Sequence, residues 1–252
     1  MDKGEITRGW YGLPERKMDD CVITADLDND GEEELAIFYS IPTKGDLSTS
    51  YLEIHKKIKG KWKLQYRNAY GNVVLDFGVV ELFNNKKKQV IVDSGVGASI
   101  GYRLFVTQYN GKQYASLLSE KEESLNSGIF VSDIDGNNQK EILASHRFSP
   151  LAMVYKRNDK TGFIEVLTDT NSVTLRNYYK LVIAKIKTPF ESGGNFNDGY
   201  AWALFESYDK LGDSANAITI GKQLMVCKGG DENKYAWYDS VKSRLKVLEK
   251  SK

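Results

Sequence analysis

DLDNDGEEELAI (residues 26–37), ELFNNKKKQVIV (81–92) and DIDGNNQKEILA (133–144) decide the fold, because they align column for column. Placing Asp26, Glu81 and Asp133 together sets intervals of 55 and 52 residues. Each segment is a turn that runs into an apolar stretch with strand character. Short β-branched and aromatic runs surround them at the spacing of antiparallel strands. CVITAD, ELAIFYS, SYLEIHKKI and KWKLQYR form a first group of four. FGVVELF, QVIVDSG, YRLFVTQYN and KQYASLLS form a second, and GIFVSD, KEILASH, LAMVYKR and GFIEVLT a third. Asn110-Gly111 and NDKTG (158–162) are hairpin-type turns within these groups. A period near fifty residues with four strands per period reads as stacked β-units of the propeller kind, against the plainer alternative of a non-repeating sandwich. The units run from about 18–72, 73–124 and 125–169.

After residue 170 the period changes. DGYAWALFESYDKLGDSANAITIGKQLM sets Ala201, Leu204, Tyr208 and Leu211 on one helical face, and Gly212-Asp213 separates it from a second amphipathic run. Tyr200–Trp202 recurs as Tyr235–Trp237, close to the length of one helix-turn-helix repeat. TLRNYYKLVIAKIK is read as helix, and TPFESGGNFND (188–198) as a loop or linker. The expected fold is therefore mostly β with a C-terminal α segment. Residues 18–169 hold three four-stranded propeller-type blades, a partial or open β-propeller, and 172–252 are helical.

The 252 residues carry a formal charge of +1, which gives no global field towards nucleic acid or an anionic membrane. No window approaches the ~20 apolar residues of a membrane span, and no signal peptide opens the sequence. The two cysteines, Cys21 and Cys227, suggest buried free thiols rather than a disulfide framework or zinc site. With only His55 and His146, His-centred catalysis starts poorly supplied. His55, among lysines, reads as an exposed polar position, and His146 as a strand end. Lys86–Lys88 read as a solvated turn. Tyr102, Tyr109 and Tyr114 are explained by β-propensity as well as by a sugar-binding face.

The first segment crowds carboxylates at alternate positions. Asp26, Asp28 and Asp30 at positions one, three and five, the carbonyl of Glu32 at seven and Glu34 at nine can wrap a hard cation. Gly31 supplies the left-handed backbone at position six. Ile37 stands at position twelve, so the loop is not an EF-hand. The third segment repeats the set with Asp133, Asp135, Asn137, the carbonyl of Gln139 and Glu141, and Asn138 takes the place of Gly31. The middle segment carries Phe83 and Lys86–Lys88 instead, and should hold its turn without metal. Asp, Asn and Gly are also ordinary turn residues. A glutamate repeated at position nine is taken here as more than a turn requires. On charge, the first loop should bind more tightly than the second.

DLDNDGEEEL and DIDGNNQKEI resemble the calcium loops of FG-GAP/VCBS repeats, the blades of integrin-α-like β-propellers, over residues 18 to about 169. Phe77-Gly78 and Gly97-Ala98 are fragments of that signature. The resemblance implies Ca2+ bound by Asp26, Asp28, Asp30, Glu32 and Glu34, and by Asp133, Asp135, Asn137, Gln139 and Glu141. It implies a non-catalytic module that recognises protein or carbohydrate at the cell surface, in an extracellular or cell-envelope setting. Leu204, Tyr208, Gly212 and Ala217 resemble a tetratricopeptide repeat, which implies protein contacts. Three units leave open edges, so a fragment of a longer propeller or a capped open array is expected. The alternative is a metal-dependent hydrolase or glycosyltransferase using the Asp26-Asp28 loop. Its Asp-x-Asp resembles the loops of haloacid-dehalogenase-like phosphatases and some glycosyltransferases, but neither family repeats the loop before an equivalent strand. No Gly-rich phosphate loop, His-Glu-x-x-His or Gly-x-Ser-x-Gly is present.

Overall fold

The computed structural model describes residues 21–42, 48–71, 73–95, 102–118, 126–146, 151–191, 198–227 and 238–251. The chain divides into two compact units, Met1–Leu167 and Thr168–Lys252. Gly97-Ala98, the recurrence at Tyr235–Trp237, and the side chains of Tyr102, His146 and Cys227 lie outside the described residues.

The first unit holds three four-stranded antiparallel sheets, each made of strands consecutive in the chain. Sheet 1 contains β1 (Val22–Ala25), β2 (Glu34–Pro42), β3 (Ser48–Ile58) and β4 (Lys61–Tyr70). Sheet 2 contains β5 (Val73–Val80), β6 (Gln89–Gly95), β7 (Tyr102–Tyr109) and β8 (Tyr114–Ser116). Sheet 3 contains β9 (Asn126–Ser132), β10 (Glu141–His146), β11 (Ala152–Arg157) and β12 (Ile164–Val166). The aligned turns join the first two strands of each sheet. Asn110-Gly111 closes β7 onto β8 with Tyr109 opposite Tyr114, and Asn158–Gly162 closes β11 onto β12.

Alternation along β6 shows how the sheets stack. Val90 and Val92 point into a core shared with Ala36, Phe38, Leu52 and Ile54 of sheet 1. Ile91 points the other way, into a core shared with Ile129, Ile142 and Tyr155 of sheet 3. A strand buried on both faces reads as a continuous apolar run, as QVIV does. Rings of Phe38, Tyr70, Phe77 and Phe105 contact one another in the first core. Tyr114 is 6% exposed and belongs to that core, so with Tyr109 it packs inward instead of forming a sugar-binding face. Sheets 2 and 3 also share backbone hydrogen bonds, Lys140 N to Leu82 O at 2.6 Å and Ile164 N to Leu117 O at 2.7 Å.

The second unit contains α1 (Val173–Glu191), α2 (Asp198–Lys210), α3 (Ser214–Cys227) and α4 (Tyr238–Lys250). Ser172 caps α1 through its hydroxyl, which accepts from Leu175 N at 3.2 Å. Thr188–Glu191, read from the sequence as loop, continue this helix. At the α2–α3 turn Gly212 adopts φ +79° and Asp213 N donates to Tyr208 O at 2.9 Å, while the Asp213 carboxylate accepts from Asn216 N. Ala201, Leu204 and Tyr208 are buried as the helical pattern requires. The α2–α3–α4 packing is close: a Cβ on Gly221 would lie 2.7 Å from Leu245 Cδ2. Arg244 of α4 grips Asp209 of α2 through Nε at 2.8 Å and Nη2 at 2.9 Å. No described helix is long and apolar enough to cross a membrane.

Candidate metal centre

All three turns share one backbone. The fourth and sixth positions are left-handed in each: Asn29 and Gly31, Asn84 and Lys86, Gly136 and Asn138, with φ from +48° to +89°. Asparagine and glycine exchange places between the first and third loops, since both tolerate that region. Three hydrogen bonds hold this backbone. The position-one carboxylate accepts from the position-six N–H: Asp26 from Gly31 at 3.1 Å, Glu81 from Lys86 at 2.6 Å, Asp133 from Asn138 at 2.8 Å. The position-five side chain accepts from the position-seven N–H: Asp30 from Glu32, Asn85 from Lys87, Asn137 from Gln139. The position-nine side chain reaches back to the position-two N–H: Glu34 to Leu27 at 2.8 Å, Gln89 to Leu82 at 2.7 Å, Glu141 to Ile134 at 2.9 Å.

The last bond corrects one expectation. Position nine does work for the turn itself, since Gln89 fills it in the middle loop, where Glu81 is the one acid left. The middle turn does keep its shape with Phe83 and lysines in place. Position three is what separates the loops. Asp28 and Asp135 have side chains only 9% and 8% exposed, and their counterpart Phe83 is buried in the core between sheets 2 and 3 under Arg157.

Asp26, Asp28 and Glu34 each bring an oxygen within 4.8 Å of the others, and so do Asp133, Asp135 and Glu141. These two triads can hold a metal ion. Asp30 and Asn137, also read as ligands, each spend an oxygen on the turn. Burial raises the Glu34 and Glu141 carboxyls above their ordinary value, only partly offset by the Leu27 and Ile134 N–H groups. Tyr114, in the core shared by sheets 1 and 2, feels the charge of the first loop. Its burial and the charges of Glu34 and Asp28 push the phenol up.

The sequence reading missed a lysine in each acidic loop. Lys56 on β3 donates from Nζ to Asp28 Oδ2 at 2.5 Å and to Asp30 Oδ2, and lies 3.5 Å from Glu34 Oε1. Lys156 on β11 donates to Asp135 Oδ2 and lies 3.3 Å from Glu141 Oε1. Burial pulls both ammonium groups down, but hydrogen bonds to these acids overcome it and hold them above the ordinary lysine value. Register explains the repetition. Leu35 faces His55 and Ile142 faces Tyr155, so one step further Glu34 and Glu141 meet Lys56 and Lys156. The same step in sheet 2, next to Val90 opposite Thr107, brings Gln89 to Gln108, and their amides are bonded at 2.5 Å. Hairpin lengths differ between units, so no fixed spacing in the chain discloses the pair. The interruption of an alternating strand by a cation, as in LEIHKKI and VYKR, is its one sequence trace.

Two single residues differ from expectation. Cys21 is exposed. His55 is half-buried and places Nε2 2.8 Å from Glu53 Oε2, in a group where Tyr39 donates to Glu53 Oε1 and Arg67 stacks on Tyr51.

The fold and loops define a mostly β protein of three four-stranded sheets, carrying two acidic cation-type loops, joined to a helical unit. No protein-family model matches the chain, and no curated protein matches it.

Proposed function

We propose that this protein is a non-catalytic β-repeat recognition module whose first and third loops bind Ca2+, with sheets arranged as consecutive blades of an open propeller. One observation carries this reading: the same oxygen triad stands on the same turn in two separate sheets, and is broken in the third, where Phe83 and Gln89 replace two of its carboxylates and Glu81 alone remains. Lysine alone leaves the loops under-neutralised. The first loop sets four carboxylates, Asp26, Asp28, Asp30 and Glu34, against the one ammonium of Lys56, and the third sets Asp133, Asp135 and Glu141 against that of Lys156, so a divalent ion answers a remaining charge. Lysine closes each loop when no ion is bound, and calcium takes its place. The ligands are Asp26, Asp28, Asp30, Glu34 and the Glu32 carbonyl, then Asp133, Asp135, Asn137, Glu141 and the Gln139 carbonyl. The resemblance to FG-GAP/VCBS repeats extends the proposal to a protein or carbohydrate ligand at the cell surface, with the tetratricopeptide-like unit as a second contact surface.

A second reading is favoured by the lysines themselves: Lys56 and Lys156 are the permanent cations, and the loops take no metal. Calorimetric titration of chelator-stripped protein with calcium, with melting followed in the same samples and magnesium as control, separates the two. Two calcium-selective sites and a raised melting temperature support the first reading. No heat and no shift leaves the tethered ammonium as the only cation. Catalysis by the Asp26-Asp28 loop, the enzymatic alternative, requires a reaction that Asp28→Asn abolishes while Asp135→Asn leaves it intact.

A further inference from the structure

The β3–β4 hairpin carries a surface that the metal loops do not use. β2 pairs with β3 as far as Leu35 opposite His55, whereas β3 and β4 stay paired out to Ile58 opposite Lys61. The tip turns through Lys59 and Gly60, both with positive φ (+53° and +76°), the tight primed type of hairpin turn. The hairpin therefore projects past the strand beside it. Lys57, Lys59, Lys61 and Lys63 are all exposed, and no ion pair of the described residues involves any of them. No acidic residue occurs between Glu53 and Arg67 and beyond it as far as Asp76. At the hairpin base, Lys56 is already committed to Asp28 and Asp30, so the acidic loop has no hydrogen bond to the outer lysines.

Among these charges stand two bulky apolar side chains, Trp62 at 47% and Leu64 at 50% exposure. Trp62 pairs with Lys57 and Leu64 with His55, which places both on one face of the ribbon. A projecting ribbon with an indole and an isobutyl group on one face, Lys57 beside them, Lys59 at the tip and Lys61 and Lys63 on the opposite face, suits one environment above others. We propose that this hairpin docks the protein peripherally onto an anionic phospholipid surface. Lys57 and Lys59 meet phosphates, and Trp62 and Leu64 enter the boundary between headgroups and acyl chains. A soluble polyanion accounts for the lysines and can stack on Trp62, but it offers nothing to Leu64. Charge complementarity and the apolar pair together favour lipid. The neutral balance of the whole chain hides this local patch.

The full chain is sedimented, in chelator, with vesicles of phosphatidylcholine alone and of phosphatidylcholine mixed with phosphatidylglycerol. Binding is expected to the mixed vesicles only, and to weaken as salt is raised. Each lysine near such a surface is worth about fivefold in partition, so Lys57→Gln with Lys59→Gln should reduce binding roughly 25-fold. Trp62→Ala with Leu64→Ser should reduce it as well without changing the salt dependence. All four positions are exposed, and unchanged melting curves show that the variants fold. Binding to neither vesicle, or equally to both, overturns the proposal. So does heparin or single-stranded nucleic acid binding at least as tightly and insensitively to Leu64→Ser, which would make the patch a site for soluble polyanions.

Discussion

Glu34 and Glu141 are each asked to do two things. One carboxylate oxygen accepts a backbone N–H that holds the turn, and the other faces the lysine. Glutamine keeps the first function, as Gln89 shows, so the Glu34→Gln, Glu141→Gln variant removes charge with the turn intact. Burial raises both carboxyls, and an acid whose folded pKa lies above its unfolded one binds its proton more readily in the folded state. The metal-free wild type should therefore gain stability relative to this double variant as pH falls from neutrality through the raised values towards the ordinary 4.5. Urea unfolding of both proteins across that range reads the difference, and a wild type that loses stability relative to the variant on acidification would refute it. Lys56 makes a second test. A hydrogen bond between charged partners is worth about 1.5–3 kcal/mol, and calcium bound there as proposed would displace two of them. Lys56→Gln should tighten calcium binding at the first loop by about tenfold or more and leave the third loop unchanged, as a two-site titration would resolve.

The turn as an element was legible in the sequence to different depths. Its three copies, their register and the strands around them follow from spacing and alternation, and the left-handed roles of Gly31 and Asn138 follow from residue type. The division of labour inside the turn was not legible. Asp at position one and Glu at position nine suit a metal ligand and a backbone acceptor equally well, and only the middle copy, seen folded, separates the two. The cross-strand lysines were hidden because register, not sequence spacing, sets their place. That middle copy retains the left-handed backbone with Lys86 at φ +65°, a conformation that costs a side chain about 1–2 kcal/mol, against about 0.5–1 kcal/mol for the flexibility of glycine. Lys86→Gly should accordingly stabilise the protein by roughly 0.5–1 kcal/mol. The midpoint of urea unfolding should rise. A fall would mean that the lysine side chain contributes something the turn geometry does not reveal.

At the scale of the β unit, the middle sheet binds its neighbours together because its central strand is buried on both faces. Val90 and Val92 are 1% and 0% exposed in the core with sheet 1, and Ile91 is 0% exposed in the core with sheet 3. A sheet that shares both faces has no separate core of its own. Loss of packing on one side must therefore be felt on the other. Ile91→Ala removes a buried side chain beside Ile129 and Ile142, at a cost of about 2–5 kcal/mol. Were the sheets independent, only sheets 2 and 3 would loosen. Because β6 also supplies the wall against which Phe38, Leu52 and Ile54 pack, amide protection should fall in β2 and β3 by the same free energy as in β10. Native-state hydrogen exchange on the variant measures each strand separately. Equal losses in all three sheets would make the unit one cooperative block, in which closing a loop in sheet 1 or sheet 3 steadies the whole. Losses confined to β6 and β10 would instead make the sheets separable repeats, each stabilised by its own loop.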